Sequence, residues 1–283
     1  MRAIVKFAGA LLEDESALQS LAAQVAALAR EGHELLVVHG GGKTFTATLK
    51  QLGIESKFVA GLRVTDRATR DAAVMVFAGL LNKRLAAAIS GQGHPALGVS
   101  AADARCFRAE PLVHNEVAGG LGFVGYLTGV DTDLIASFWR SGLVPVAPCL
   151  GIASDNELYN INADHMAAAC AEYLNADQLI YLTDVAGVLD GEKVISAISC
   201  EEVERLVQCR VVSGGMVLKL EAAKRALEGG VRGVHIIGGT APDALIQAVR
   251  AAETSDSSEA IEVAGTRVVR DPLSGLRAVS TAA

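Results

Sequence analysis

Two lysines of this chain lie beside glycine-rich segments. Lys6 ends an apolar stretch and is followed by Phe7-Ala8-Gly9. Lys219 lies in a predicted helix that begins after Ser213-Gly214-Gly215. Phosphoryl transfer needs mainly positioning and positive charge around the phosphoryl oxygens, and glycine turns leave backbone N–H groups free to meet an anion. Together the lysines and glycines indicate phosphoryl transfer, although each lysine taken alone could simply be solvated.

A second glycine turn follows Leu35–His39, an apolar run typical of a strand buried on both faces. Gly40-Gly41-Gly42 comes next, and Thr44–Leu52 can form a helix. The positive N-terminal end of that helix would point at the place where the glycine N–H groups face outward. This segment predicts an anion-binding turn, and the alternative is a tight strand–helix connection that binds nothing.

Two further polar segments follow predicted strands. Asn160-Ile161-Asn162-Ala163-Asp164 opens the predicted helix His165–Leu174, and it holds more Asn and Asp than one helix cap requires. The segment Tyr181–Asp190 has a strand that ends in Thr183-Asp184, followed by an apolar loop with a glycine. That loop could hold a nucleoside through backbone groups and apolar contacts, or could simply turn.

The short motifs of several other nucleotide-binding enzymes are missing from the sequence. It has no Gly-x-x-x-x-Gly-Lys-Ser/Thr loop and no kinase catalytic-loop pattern, so it is not a P-loop enzyme. No Gly-x-Gly-x-x-Gly follows the first strand, which argues against a dinucleotide-dependent oxidoreductase.

Composition indicates an ordinary globular protein of one large or two modest domains. The chain has 283 residues, of which 51% are hydrophobic and 20% charged, and its apolar stretches are broken short of a membrane span. The net charge of -7 argues against a nucleic-acid partner. Five scattered cysteines without a Cys-x-x-Cys pair predict free thiols, and the first strand begins by Ala3 with no signal peptide before it. We therefore expect a cytoplasmic protein that binds neither membrane nor nucleic acid.

Alternating strands and helices must position the polar residues. Strands are predicted at Ala3–Lys6, Leu35–His39, Ala96–Val99, Val144–Ala147, Gln178–Leu182 and Val234–Ile237. Alanine-rich helical segments lie between most of them, which predicts a mostly parallel sheet with helices on both faces. The Gly/Phe/Tyr alternation of Gly119–Thr128 predicts a hairpin beside that sheet, and Gly265–Arg270 predicts a late strand. A domain boundary is expected near Ala171–Leu174, which gives lobes of residues 1–173 and 174–283.

A series of short motifs runs in order along the chain. They are Val5-Lys6 with Gly9, Val38–Gly42, Leu52–Ser56, Gly61–Asp66, Asn82-Lys83, Gly122–Gly125, Tyr159–Asp164, Leu182–Val185 with Gly187–Asp190, Ser213–Met216 with Lys219, and Gly229–Val231. In these motifs the chain resembles the amino acid kinase family from Val5 to about Ile237. Gly-Leu-Arg-Val-Thr at 61–65 is most typical of the branch that acts on N-acetyl-L-glutamate.

The resemblance implies a fold, a reaction and its substrates. The fold would be a three-layer α/β/α sandwich with a mainly parallel central sheet. The reaction would be ATP-dependent phosphorylation of the side-chain carboxylate of N-acetyl-L-glutamate to an acyl phosphate, in arginine biosynthesis. Residues 1–173 would bind the acceptor and form the dimer, and residues 174–283 would bind ATP. Mg²⁺ would be held chiefly by the ATP phosphates, with no metal site among the side chains.

Individual residues receive roles from the same resemblance. Lys6 would neutralise the transferring phosphoryl group from the acceptor side and Lys219 from the donor side, while Asp164 would hold both lysines. Arg63 would grip a substrate carboxylate with its planar guanidinium. The other expected acceptor-binding residues are Gly41, Gly42, Asn160 and Asn162. The expected nucleotide-binding residues are Gly9, Thr183, Asp184, Gly187, Leu189, Val211, Ser213 and Gly214.

Three positions depart from the family pattern. Ala8 replaces a usual glycine, which would cost about 1 kcal/mol if the backbone there needs a positive φ. Ser100–Ala104 lacks glycines that the family often carries, and Lys43 adds a positive charge after the triple glycine.

Two alternatives stay open beside acetylglutamate phosphorylation. The acceptor could be a related N-acylated amino acid or a carrier-bound aminoadipate, although the Arg63 segment argues against the carrier-linked branch. The chain could also be a non-catalytic regulator that binds a nucleotide or an amino acid, but Lys6, Asp164 and Lys219 are all present.

The resemblance also bears on assembly. Arginine-inhibited members carry a helix before the first strand that links dimers into a hexamer, whereas here the strand begins by Ala3. The expectation is a homodimer, formed through the N-terminal half and insensitive to arginine.

Overall fold

A computed structural model describes residues 1–113, 120–254 and 264–270 of the chain. The strands are β1 (Arg2–Phe7), β2 (Glu34–His39), β3 (Phe58–Val59), β4 (Leu62–Arg63), β5 (Ala96–Gly98), β6 (Phe107–Pro111), β7 (Gly125–Val130), β8 (Val144–Pro148), β9 (Leu150–Ile152), β10 (Leu158–Asn160), β11 (Gln178–Thr183), β12 (Leu189–Asp190), β13 (Lys193–Val194), β14 (Ala197–Ser199), β15 (Gly233–Gly238) and β16 (Thr266–Val269). The helices are α1 (Gly9–Glu13), α2 (Glu15–Arg30), α3 (Gly42–Gln51), α4 (Arg67–Ala73), α5 (Asn82–Gly91), α6 (Thr132–Arg140), α7 (Ala163–Tyr173), α8 (Cys200–Gln208), α9 (Gly215–Glu228) and α10 (Ala244–Thr254). A π-helical segment, Val74–Leu81, joins α4 to α5.

The main sheet has eight strands in the order β14-β16-β15-β11-β1-β2-β8-β5. Neighbouring strands are parallel except β15 and β16, which run antiparallel. All six strands predicted from the sequence belong to this sheet. The further strand predicted at Gly265–Arg270 is β16 of the same sheet. The register places Lys6 of β1 beside Tyr181 of β11 and Val38 of β2. The carboxyl ends of three central strands therefore meet where the polar residues were predicted.

Helices pack in two groups against this sheet. Helix α2 contacts α5 and α10, while α7 contacts α9 and lies on β1, β2 and β11. Their apolar sides form a core with the strands, in which Ile4, Leu36 and Ile180 are fully buried. The prediction of a layered α/β fold with a mainly parallel sheet is confirmed. The sheet runs without interruption from β1 to β11, across the boundary expected after Tyr173, so the two lobes stay a prediction.

A second sheet lies beside the first, with the strand order β10-β9-β6-β7. The hairpin predicted within Gly119–Thr128 takes another form: β7 pairs antiparallel with the upstream strand β6. Gly122, just before β7, has a φ of +68°, and a Cβ there would lie 2.2 Å from the Thr65 carbonyl oxygen. The chain there is tied instead to Thr65 by an isolated bridge. Gly119 lies outside the described residues.

The continuous helical stretch Arg67–Gly91 qualifies as a membrane span by length and composition alone. Of its most apolar window, 56% is buried inside the protein, as happens in core helices of soluble proteins. Phe77 and Leu81 are among the buried residues, whereas Met75 and Leu80 are each 58% exposed. The stretch therefore serves partly as core and partly as an apolar surface.

Candidate active site

Three charged side chains from distant parts of the chain meet at the carboxyl end of β1. Lys6 is the next-to-last residue of that strand, Asp164 lies in the first turn of α7, and Lys219 lies in α9. The Lys6 Nζ lies 2.8 Å from Asp164 Oδ1, and the Lys219 Nζ donates to the same oxygen at 2.7 Å. The side chains are 9%, 12% and 8% exposed in the order Lys6, Asp164, Lys219. One carboxylate oxygen thus holds two nearly buried ammonium groups together.

The electrostatics of this cluster favour one negative and two positive charges. Burial alone would raise the pKa of the Asp164 carboxyl, but the ammonium groups of Lys6 and Lys219 outweigh it and hold that pKa well below its usual value. Burial and then the nearby Lys6 ammonium lower the pKa of Lys219 to about 8, against the attraction of Asp164. The cluster therefore carries a net positive charge that a bound anion would stabilise.

Tyr181 completes the surroundings of Lys219. Its ring centroid lies 4.7 Å from the Lys219 Nζ, and its hydroxyl donates to the Asp164 carbonyl at 3.1 Å. Burial raises the pKa of the Tyr181 phenol well above its usual value, so this hydroxyl stays protonated and acts as a donor.

The two glycine turns pack against each other near this cluster. A Cβ on Gly9 would lie 3.0 Å from the Gly41 Cα, and one on Gly40 would lie 3.2 Å from the Ala163 Cβ at the start of α7. Gly41 has a φ of +151° and would bring a Cβ to 2.0 Å from Leu81 Cδ1, so only glycine fits there. Gly42 begins the ten-residue helix α3. Gly9, Gly41 and Gly42 are thus brought together, at the positive ends of α1 and α3.

Two of the departures from the family pattern, Ala8 and Lys43, leave the glycine turns in ordinary geometry, whereas the loop Ser100–Ala104 does not have it. Ala8 has φ −67° and ψ 144°, which any residue adopts, so the strain considered for alanine there does not arise. Lys43 is an exposed residue in the first turn of α3. In the loop after β5, the Ser100 N–H and hydroxyl both donate to Asp103 Oδ2, and Ala104 has a φ of +51°, a region that glycine adopts more easily than alanine.

Arg63 is a buried cation that no described carboxylate accompanies within 4 Å. Its guanidinium donates to the hydroxyls of Thr46, at 2.8 Å, and of Ser56. The rings of Phe45 and Phe58 lie 4.8 Å and 4.4 Å from its Cζ. Burial lowers the pKa of Arg63, yet the group stays charged at neutral pH. A buried guanidinium close to two aromatic rings, whose hydrogen-bond partners among the described residues are hydroxyls, can bind a carboxylate through the N–H groups at the edge of its plane.

Arg63 is connected to the lysine cluster through the β3–β4 hairpin. A Cβ on Gly61, in the hairpin turn, would lie 3.1 Å from Leu218 Cδ1, next to Lys219 on α9. The hairpin therefore spans from the predicted acceptor side to the helix that carries the predicted donor-side lysine.

The two asparagines of the predicted acceptor site play different parts. Asn162 caps α7, since its Oδ1 accepts from the N–H groups of Asp164 and His165 at 2.9 and 3.1 Å. This cap accounts for the residue type, so its role in binding stays a prediction. Asn160 ends β10, and its Nδ2 donates to the Thr65 hydroxyl at 3.3 Å.

The predicted nucleotide residues lie around the ends of β11 and α9. The Thr183 hydroxyl makes its hydrogen bond within the fold, because the carbonyl oxygens of Val185 and Ile237 lie 2.6 and 3.2 Å from it. Asp184, Ser213 and Gly214 are exposed, Val211 and Leu189 are half-buried, and Gly187 is buried against Thr266. The helix α9, whose cap is Gly214, runs from this region to Lys219. None of these side chains contacts the lysine cluster directly, and their role in nucleotide binding stays a prediction.

Several residues of the site could not be identified from the sequence alone. Tyr181 is an apolar-looking member of a buried strand, and Phe45 and Phe58 read as ordinary core positions. Ser56 and Thr65 lie within two of the short motifs, Leu52–Ser56 and Gly61–Asp66, but nothing in the sequence shows that their hydroxyls contact Arg63 or Asn160. Thr46 lies in none of the motifs.

The chain is similar to several known proteins. The sequence model described as the amino acid kinase family matches residues 1–238. The acetylglutamate kinase of Koribacter versatilis is 48% identical over 248 residues, which cover 87% of this chain and 93% of that protein. The acetylglutamate kinase of Acidobacterium capsulatum is 44% identical over 238 residues, which cover 84% of this chain and 90% of that protein.

Solved structures share the fold. An N-acetylglutamate synthase from Neisseria gonorrhoeae, complexed with coenzyme A and N-acetyl-glutamate, superposes with a TM-score of 0.81 at 25% identity. The match covers 96% of this chain and 60% of the synthase chain. The protein smu.665 from Streptococcus mutans has a TM-score of 0.78 at 24% identity, over 95% of this chain and 99% of that one.

Proposed function

Since the chain belongs to the amino acid kinase family, we propose that it phosphorylates the side-chain carboxylate of N-acetyl-L-glutamate with ATP, in arginine biosynthesis. The observation that carries the proposal is the pair of nearly buried ammonium groups on one Asp164 oxygen. Two positive charges held at one point suit a reaction in which negative charge spreads over a transferring phosphoryl group.

In this reaction an acceptor carboxylate oxygen forms a bond to the γ-phosphorus of ATP, and the bond from that phosphorus to the ADP oxygen breaks. No proton needs to be removed from an ionised carboxylate, so the chain needs no general base for this step. Lys6 and Lys219 neutralise the phosphoryl oxygens, and Asp164 keeps both lysines in place before the substrates bind. The backbone N–H groups of Gly41 and Gly42 assist at the acceptor side.

Arg63 binds a carboxylate of the acceptor in this proposal. Its guanidinium is buried, lies near the rings of Phe45 and Phe58, and is hydrogen-bonded only to the hydroxyls of Thr46 and Ser56 among the described residues. A carboxylate bound to this guanidinium would supply the negative counterion that it lacks among the described residues. Asn160, the last residue of β10, donates to the hydroxyl of Thr65, two residues after Arg63, and is the second acceptor-binding residue that we propose.

Arg63→Lys should raise the KM for N-acetyl-L-glutamate by roughly 10-fold or more while the KM for ATP changes little. Lysine keeps the charge but loses the two-pronged contact and the guanidinium that lies near the rings of Phe45 and Phe58. Steady-state kinetics with each substrate varied in turn provide the measurement. Arg84→Lys is the matched control, because Arg84 is an exposed arginine paired with Glu15 on another face. A change confined to the KM for ATP would place Arg63 on the wrong side of the site.

The kcat/KM for ATP should fall as the pH rises through about 8, where Lys219 of the free protein loses its proton. The sign follows from the role of this lysine, because only its protonated form carries the positive charge that ATP phosphates need. A pH profile of kcat/KM reports ionisations of the free enzyme and provides the measurement. The residual activity of Lys219→Arg should lack this decline, because a guanidinium stays charged throughout. The same decline in that variant would assign the ionisation to another group.

The acceptor itself is tested by ADP release with N-acetyl-L-glutamate, L-glutamate and N-acetyl-L-aspartate. The proposal predicts turnover that is fastest with N-acetyl-L-glutamate. Preference for another N-acylated amino acid would keep the reaction and change the acceptor. Nucleotide binding without ADP release with any acceptor would favour the alternative of a non-catalytic regulator.

The proposal includes Mg²⁺ bound to ATP. The Asp164 oxygen nearest the reaction already holds two ammonium groups, and Asp184 is an exposed single carboxylate. This donor set fits an ion held chiefly by the phosphates, which supply the hard oxygen ligands that Mg²⁺ prefers. Bound in that way, it would neutralise charge on ATP.

A homodimer formed through the N-terminal half is also part of the proposal. Met75 and Leu80 are each 58% exposed on the stretch Arg67–Gly91, an apolar surface that association would cover. A cytoplasmic location is proposed as well. It is supported by Cys106, Cys149, Cys170 and Cys209, which form no disulfide.

Light scattering of the purified protein should give twice the mass of one chain. Leu80→Glu should shift the mass toward one chain, because a buried charge destabilises an apolar interface. Leu52→Glu is the control, since Leu52 is 52% exposed on a different element. A wild-type protein that stays a single chain, or a Leu80→Glu variant that stays unchanged, would contradict this assignment.

A further inference from the structure

We propose that Thr65 is a positioning residue whose hydroxyl orients the Asn160 side chain and anchors the backbone of Arg63, so that both groups meet one acceptor. This inference rests on the proposed function and adds to it a residue that connects the two acceptor-binding side chains. The residue is fully buried, at 0% exposure, and therefore acts through its neighbours.

The Thr65 hydroxyl has two partners. It donates to the Arg63 carbonyl at 2.8 Å and accepts from the Asn160 Nδ2 at 3.3 Å. A carbonyl oxygen can only accept, so the single hydroxyl proton is committed to Arg63. The oxygen of Thr65 can then only accept from Asn160, and the Asn160 amide must present its NH₂ group to it.

This ordering of donors and acceptors selects one of the two amide orientations of Asn160. Among the described residues, the Asn160 Oδ1 and its second N–H form no hydrogen bond, so they remain for another partner. An acceptor with both a carboxylate and an amide offers groups for an N–H donor and for a carbonyl acceptor. These groups match the carboxylate and the amide of the N-acylated amino acid that the proposed function names.

The backbone around Thr65 is held separately from its hydroxyl. The Thr65 N–H donates to the Leu121 carbonyl at 3.0 Å, and the Phe123 N–H donates to the Thr65 carbonyl at 2.6 Å. The Asn160 N–H in turn donates to the Phe123 carbonyl at 2.8 Å. Loss of the hydroxyl alone should thus release the Asn160 side chain while β10 and the segment after β4 stay in place.

The test is Thr65→Val, which keeps the shape and removes the hydroxyl. We expect the KM for N-acetyl-L-glutamate to rise by roughly 3- to 10-fold, in line with the loss of one or two hydrogen bonds, and the KM for ATP to stay within about 2-fold. Thr65→Ser keeps the hydroxyl and should restore most of the affinity. Thr48→Val is the matched control, because the Thr48 hydroxyl also donates to a backbone carbonyl, that of Thr44.

An Asn160→Ala variant tests whether Thr65 acts through Asn160. In an Asn160→Ala protein, adding Thr65→Val should change the acceptor KM much less than it does in the wild-type protein. Equal effects in both backgrounds, or equal rises in both substrate KM values, would overturn the inference and leave Thr65 with a structural role only. If Thr65→Val does not fold, Thr65→Ala takes its place in both backgrounds.

These outcomes are separate from those of the proposed function. A wild-type protein that does not phosphorylate N-acetyl-L-glutamate defeats the proposed function itself. Turnover by the wild type with an unchanged acceptor KM in Thr65→Val defeats only the inference about Thr65.

Discussion

Lys6→Ala and Lys219→Ala should each lower kcat by roughly 10²–10³-fold, the loss found when one preorganised oxyanion donor is removed. Each lysine stabilises charge that develops on the phosphoryl oxygens in the transition state. The effect should therefore fall mainly on kcat, with smaller changes in the KM for either substrate. Single-turnover measurements of ADP formation isolate the chemical step.

Lys224→Ala is a control on the same helix as Lys219. Lys224 pairs with Glu204 at the surface, away from Asp164, so its loss should leave kcat within about 2-fold of the wild-type value. Normal turnover in Lys6→Ala or Lys219→Ala would remove that lysine from the mechanism. A loss in Lys224→Ala as large as in Lys219→Ala would indicate a general effect on α9.

Asp164→Asn should have the second large effect, on both activity and stability. The substitution keeps the size of the side chain but leaves two ammonium groups, from Lys6 and Lys219, without their anion in a nearly buried place. Removal of one partner from a buried ion cluster costs up to about 3–5 kcal/mol of unfolding free energy. We expect kcat to fall as well, because the lysines repel each other and lose their common anchor.

Urea unfolding at pH 7 measures the stability change, and the pH dependence identifies its source. The pKa of Asp164 is lower in the folded protein than the 3.8 of a free carboxyl. Its stabilisation is therefore complete above that value and is lost as the pH falls below it. The difference between wild type and Asp164→Asn should narrow in acid. A constant difference down to low pH would show that the ionised carboxylate is not the cause.

The main elements of the fold could be predicted from the sequence because their causes are local. Continuous apolar runs such as Leu35–His39 indicate buried parallel strands, and the glycines after them mark turns. The second sheet was harder, because β6 and β7 are separated along the chain and their pairing depends on contacts that no local pattern records. Gly122 shows this, since its positive φ and its approach to Thr65 redirect a segment whose alternation suggested a hairpin.

The charged residues of the site were predictable, whereas the neutral residues around them were not. Lys6 and Lys219 were singled out by the glycine turns near them and Asp164 by a polar segment richer than one helix cap requires, whereas their shared role followed from the family resemblance. Tyr181 and Thr65 act through ordinary hydrogen bonds, which any buried tyrosine or threonine can make. Their role at the site becomes visible only when the fold shows which atoms lie within hydrogen-bond distance of them.

The measurement that tests the central claim most directly is chemical trapping of the product. Wild-type protein is incubated with ATP, Mg²⁺, N-acetyl-L-glutamate and hydroxylamine, which converts an acyl phosphate into a hydroxamate. The account predicts one hydroxamate for each ADP released, and neither product in the absence of N-acetyl-L-glutamate. ADP released without hydroxamate, or no ADP at all, would contradict the claim that this chain phosphorylates the side-chain carboxylate of N-acetyl-L-glutamate.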